Sequence, residues 1–281
     1  MNVPARAGRL AVAVCCGALA LPGSALAVTN GVIDGTAHPN VGALTVNYQG
    51  QQVLACTGVL ISPTVLVTAA HCTAMLQQLG YSQAAVSFDP DIGSGSDITC
   101  GLIDCYVSPA SKSLYVGTLQ TDPLFTGSTT TSDSHDVAVV TFDKPIKGIT
   151  PASLPPAGML DSMAAAGTLA SQNFTDVGYG WHAVVFNGAS GATGVFDGKR
   201  RYATSGAATI SPADLHLSED PTAGFGGACS HDSGGPAFVG DSEVIAGVVS
   251  GLDGNCSSSY YDYRLDTPSA RSFLANYVTL P

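Results

Sequence analysis

Residues 226–238 read GGACSHDSGGPAF. Ser233 lies among small residues, with Cys229 four positions before it and Asp232 beside it. Glycine and serine at this density ordinarily make a flexible turn. Here Pro236 closes the turn and an apolar, strand-like run follows, so the serine is held in a tight setting. A serine hydroxyl is a poor nucleophile at neutral pH. It needs a base to take its proton, and the base needs a group to orient it. Two stretches upstream offer these: LVTAAHC, ending in His71 and Cys72, and SHDVAVVTF, with Asp136 at the mouth of an apolar strand. The order His, Asp, Ser is one of several that support such chemistry, whereas the G-x-S-x-G elbow is excluded because His231 takes its first position.

The rest of the chain reads as strands. VGALTVNY, QVLACTGVLIS, TVLVTAA, VAVVTF and VIAGVVS are short, β-branched and bounded by Gly, Pro, Ser or Asp. Many short strands with turn-rich connections point to an all-β sandwich or barrel, and no alternation with long helices supports a parallel sheet. One helix is expected, TPSARSFLANYV, with Thr267 as cap, Pro268 in the first position and Ala270, Phe273, Leu274, Tyr277 and Val278 as its apolar stripe. The Pro-rich TPASLPPAG at 150–158 reads as an extended connector, and 187–208, rich in Gly, Ala and Ser, as exposed loops.

The chain has 281 residues, 45% of them hydrophobic and 11% charged, enough for a substantial core and too apolar for a disordered chain. Residues 1–27 read as a signal peptide: Arg6 and Arg9, the apolar LAVAVCCGALAL, and SALA ending small-x-small at Ala25 and Ala27. The apolar run is too short for a good membrane span. Removing it leaves eight basic and 21 acidic residues, a net charge of −13. That balance argues against nucleic acid or an anionic membrane as partner. A secreted protein, extracellular or periplasmic, is expected. Six cysteines remain: Cys56, Cys72, Cys100, Cys105, Cys229 and Cys256. An even count on a secreted chain reads as three disulfides, with fifteen pairings open. There is no CxxC pair to suggest zinc. Asp89, Asp91, Gly93 and Asp97 form an acidic turn whose spacing fails the EF-hand pattern, so no metal and no cofactor is expected.

With these residues in order, the chain resembles the trypsin-like serine proteases of the chymotrypsin fold. TAAHC matches the family's histidine motif and DSGGP at 232–236 its nucleophile motif. HDVAVVTF resembles the aspartate motif, VVSG at 248–251 the strand that binds substrate backbone, and VGYG at 177–180 the Gly-aromatic-Gly element of the second barrel. The resemblance implies one protease domain over 28–281 in two antiparallel six-stranded β-barrels, divided near residue 150, with a C-terminal α-helix. It implies a monomeric endopeptidase acting on polypeptides through His71 as base, Asp136 as orienting group and Ser233 as nucleophile. The His231 and Ser233 amides would form the oxyanion hole. Gly227, Ala228, Ser250, Gly251 and Leu252 would bind substrate. Cys56–Cys72 and Cys229–Cys256 would pair, which leaves Cys100–Cys105.

Three departures stand out. His231 replaces the family's glycine at the oxyanion hole. Either the peptide flips and a donor is lost, or the histidine tolerates the active geometry and its ring lines the cleft; the second is preferred, with an inactive protein- or peptide-binding homologue as the alternative and an esterase as a weaker third. VIDGTAHPNVGAL resembles the family's mature start at Val32, whose amine would pair with the Asp beside the nucleophile, yet no basic residue precedes it and signal cleavage would leave Val28 first. Asp232 then pairs with a freed amine or with another group such as His231. Finally, Gly227 and Leu252 suggest a narrow pocket for small apolar side chains, while Asp262 within reach of its floor would favour Lys or Arg.

Overall fold

The computed structural model describes residues 28–93, 96–101, 105–108, 114–127, 132–186, 192–253 and 255–281. Residues 1–27, expected to be a signal peptide, and part of the 187–208 stretch lie outside them. A short β1 (Val32–Ile33) leads into the first barrel. Its strands are β2 (Val41–Tyr48), β3 (Gln51–Ser62), β4 (Val65–Thr68) and β5 (Gln83–Ser87); then, after the outlying β6 (Ile98–Cys100) and β7 (Tyr106–Val107), β8 (Leu114–Thr121) and β9 (Ala138–Thr141). They run in the order β2-β5-β8-β9-β4-β3, and β2 pairs with β3 to close the ring, so no edge is left open. After β4 the chain turns directly into helix α1 (Ala70–Gln78), which the strand pattern of the sequence does not announce.

The second barrel follows a connector that carries helix α2 (Met159–Ala165). β10 (Phe174–Gly178) enters it; β11 (Ala183–Phe186) and β12 (Ala192–Phe196) leave it; β13 (Arg201–Ile210), β14 (Asp214–Ser218), β15 (Pro236–Val239), β16 (Ile245–Leu252) and β17 (Ser259–Arg264) complete it. The order β13-β10-β15-β16-β17-β14 is closed by β13 against β14. Two closed six-stranded antiparallel barrels therefore form the molecule, as the motifs led one to expect. Helix α3 (Pro268–Leu274) ends the chain; Thr267 caps it by accepting from the Ala270 amide at 3.3 Å, with Pro268 in the first position.

Two parts differ from the sequence expectation. The stretch 187–208, expected to be loops, holds β12 and most of β13, a ten-residue strand of the second barrel. β11, β12 and β6 form a separate three-stranded sheet outside both barrels.

Each barrel has its own apolar interior: Leu44, Leu60, Leu66 and Val140 in the first, Phe174, Leu215, Leu217 and Val249 in the second, all 2% exposed or less. Each such Leu or Phe contributes about 2 kcal/mol. A third cluster, including Val41, Val67, Val139, Tyr179, Phe238 and Tyr263, draws residues from both barrels. Arg200 cross-links it. Its guanidinium meets Asp34 at 2.7 Å and donates to the Val41 and Phe88 carbonyls of the first barrel at 2.9 and 3.2 Å. Burial works against the Asp34 carboxylate, but His38 and Arg200 outweigh it and hold its pKa below the usual range.

Candidate active site

The site begins with a register. β4 and β9 are neighbours, and Thr68 pairs with Ala138. The chain leaves β4 through Ala69–Ala70 into His71, and it enters β9 from Asp136, so the same strand ends bring the two together. Asp136 is fully buried. Its Oδ1 accepts the His71 backbone N–H at 2.8 Å, and its Oδ2 accepts from His71 Nδ1 at 2.8 Å and from the Ser250 hydroxyl at 2.5 Å. Both ring position and tautomer are thereby set: Nδ1 carries the proton and Nε2 is left as the basic nitrogen. Ser250 arrives from β16, so the second barrel helps to hold the aspartate of the first. Its role beside Asp136 is additional to the backbone role expected from the sequence.

Ser233 sits in the turn before β15. Its carbonyl accepts from the Thr57 amide on β3 at 2.9 Å, and the next residue but one, Gly235, accepts from Val249 at 2.9 Å. Both barrels thus grip the turn. Cys72 Sγ lies 3.6 Å from His71 Nε2 and 3.7 Å from the Ser233 carbonyl oxygen, which puts the Cys56–Cys72 bridge between histidine and serine loops. The Ser233 hydroxyl makes no hydrogen bond of its own among the described residues; such bonds are often loose before substrate binds. Cys229–Cys256 and Cys100–Cys105 are the other two bridges, so all three expected pairs are within bonding distance.

His231 has φ +74°. It therefore holds the left-handed backbone that favours glycine, and its ring turns into the protein at 4% exposure. It does not partner Asp232. That carboxyl accepts from the Gly180 amide at 2.7 Å and the Cys229 amide at 2.9 Å, and a Cβ on Gly180 would come within 2.5 Å of it. Burial pushes Asp232 up to about 7 against these two amides.

The amino-terminal residues bear on the two starts that the sequence leaves open, Val28 and Val32. Val32 is an edge residue of β1, paired with Tyr202 and 48% exposed. Val28 is fully buried, and Thr29 bridges Gly227, its hydroxyl donating to Glu219 Oε2 at 3.3 Å. Of the two residues, Val28 is the buried one.

Gly227 and Ala228 lie on one side of Ser233, and Ser250, Gly251 and Leu252 on the end of β16. A Cβ on Gly227 would stand 2.5 Å from the Tyr260 ring, 2.7 Å from Glu219 Cβ and 3.0 Å from Glu219 Oε2. Tyr260 and Glu219 thus fill the space in front of Gly227. Asp262 does not line this space as an ionised floor; its side chain is inside the second barrel with neither oxygen hydrogen-bonded among the described residues, and burial beside Asp176 pushes its pKa well up. Burial, with Asp253 and other acids nearby, raises Glu219 to about 8. Glu219 gave no sign in the sequence, because an acid in LSEDPTAG looks like a turn residue until Thr29 is packed on it.

In the acidic turn, Asp91 accepts its own Gly93 amide at 3.0 Å. Asp97 and Asp197 do approach His182, but Asp197 is already held by both Arg201 nitrogens at 2.6 and 2.8 Å and by Lys199 at 3.0 Å. No helix among the described residues is long and apolar enough to cross a membrane.

Comparison with known proteins agrees with this geometry. A solved structure titled HL collagenase superposes with a TM-score of 0.60 at 16% identity, over 88% of this chain and 97% of that one. No curated protein sequence matches. The family model named Trypsin matches residues 33–273, from β1 into α3 and across the stretches that carry His71, Asp136 and Ser233. The chain belongs to the trypsin family of serine proteases.

Proposed function

We propose that this protein is a secreted serine endopeptidase that begins at Val28 and cleaves polypeptides after small, uncharged residues. The observation that carries the reading is the buried Asp136 carboxylate, which holds His71 through both its backbone N–H and Nδ1 while Ser250 ties it to the second barrel. Ser233 attacks the peptide carbonyl and His71 Nε2 takes its proton. His71 returns that proton to the leaving amine, and water then resolves the acyl-enzyme by the same steps in reverse. The His231 and Ser233 amides receive the oxyanion; the left-handed φ of His231 supports this over a flipped peptide. Ser250, Gly251 and Leu252 pair with the substrate backbone, and no cofactor takes part.

Signal cleavage after Ala27 frees the Val28 amine, and its ammonium pairs with the buried Asp232. The burial of Val28 and the raised pKa of Asp232 in the uncut chain support this. Specificity for a small P1 residue follows from Tyr260 and Glu219 in front of Gly227.

The test is incubation of the secreted wild type and Ser233→Ala with peptides and small esters of graded P1 side chain. Peptide cleavage by the wild type alone, best after Ala or similar residues, is expected. Ester hydrolysis without peptide cleavage supports the esterase, and neither activity supports the binding homologue.

A further inference from the structure

We infer that the ring of His231 and the Cys100–Cys105 bridge form a clamp that holds the oxyanion hole open, making both positioning groups for catalysis. The inference rests on the protease reading above. A residue with a Cβ pays free energy for the left-handed φ that His231 adopts, where glycine pays none. Something must offset that cost, and the ring's surroundings supply it. Nδ1 lies 3.2 Å from the Ala55 carbonyl of β3; Nε2 lies 3.3 Å from the Gly101 carbonyl and 3.3 Å from Cys105 Sγ. The Trp181 indole meets the ring edge-on at 5.9 Å and donates its N–H to Cys105 Sγ at 3.4 Å.

The clamp has its own scaffold. Cys100 ends β6 and pairs with Gly194 of β12. Gly194 is where Trp181 rests, since a Cβ there would overlap the indole at 1.8 Å. Cys105 is fixed to the first barrel by the Leu54 amide, which donates to its carbonyl at 3.0 Å. The backbone on either side of the histidine is tied as well: Trp181 N–H donates to the Ser230 carbonyl at 2.9 Å, and Thr57 Oγ1 to the His231 carbonyl at 3.0 Å. The three-stranded sheet outside the barrels therefore ends on the residue that departs from the family's glycine. It does by side-chain contact what glycine does by lacking a side chain.

The test is a cycle of four proteins: wild type, C100S/C105S, H231G and the triple variant. Each is assayed for kcat and KM on a small-P1 peptide amide and for affinity to the matching peptide aldehyde, whose adduct needs the oxyanion hole. Losing the bridge is expected to lower kcat and aldehyde affinity about tenfold with KM unchanged when His231 is present, and less than about twofold when glycine is present. An equal loss in both backgrounds overturns the clamp, as does no loss in either. If C100S/C105S does not fold, H231A against H231G decides: the clamp predicts about tenfold lower kcat for alanine, which keeps the strained backbone and loses the ring. Equal rates overturn it. Fluorophosphonate labelling of the wild type separates the two levels of failure. An unlabelled wild type removes the protease reading and the clamp together, whereas a labelled one with no coupling removes the clamp alone.

Discussion

Replacing Glu219 by glutamine should stabilise the uncut protein at alkaline pH and do little at acid pH. Glu219 is fully buried; one oxygen accepts from Thr29 and the other has no hydrogen-bond partner among the described residues. Its pKa is pushed from 4.5 to about 8, first by burial and then by Asp253 and other acids. Below pH 4.5 the carboxyl is protonated in folded and unfolded chains alike, and it costs nothing. As pH rises from there to about 8, the unfolded chain gives up the proton while the folded chain keeps it, so stability falls across that window and levels off above it. At about 1.4 kcal/mol per pH unit the ceiling is about 5 kcal/mol; relaxation and water entry leave about 2 kcal/mol. Glutamine keeps an oxygen for Thr29 and does not titrate. In a Ser233→Ala background, which prevents self-digestion, Glu219→Gln should raise Tm by about 4–8 °C at pH 8.5 and by about 1 °C or less at pH 4.5. A shift of the same size at both pH values, or a loss at pH 8.5, would refute the reasoning.

Other perturbations have equally definite outcomes. Arg200→Gln leaves Asp34 buried without its main cation and should lower unfolding free energy by about 3–5 kcal/mol in urea titration. Asp136→Asn removes an acceptor from His71 Nδ1 and should lower kcat by about 10⁴ with little change in KM, read on a peptide amide. Tyr260→Gly empties the space before Gly227 and uncovers Glu219, which relieves the burial that keeps it protonated; kcat/KM for Ala at P1 should fall and that for Lys or Arg should rise, read on peptide amides. A Met-Ala extension before Val28 should cut activity by at least tenfold at pH 8, since the ammonium is then displaced from Asp232 and a buried unpaired carboxylate costs several kcal/mol.

Much of this was legible because the informative residues are local in sequence. DSGGP, TAAHC and the strand after Asp136 each carry their own signal, and the cap at Thr267 with Pro268 marks α3 without tertiary help. What was hidden depends on distant contacts. RYATSGAATI looks like a loop because its small residues show no strong alternation; it is a strand because β10 and β14 pair on both sides and Gly206 makes room for the Phe225 ring. α1 has no capping side chain and only nine residues, so nothing local separates it from the end of β4. Val32 looked like the mature start because Val-Ile-Asp-Gly resembles one. The bridge from Thr29 to Gly227, 198 residues apart, is what favours the proposed start four residues earlier, and no local pattern announces it.

The central claim is an activated Ser233 in a chain that starts at Val28. Intact-mass measurement of the secreted protein after treatment with a fluorophosphonate probe tests both parts at once, with Ser233→Ala as control. The account predicts a mass that begins at Val28 and one probe added to the wild type alone. A folded protein that begins at Val28 and takes up no probe would contradict it.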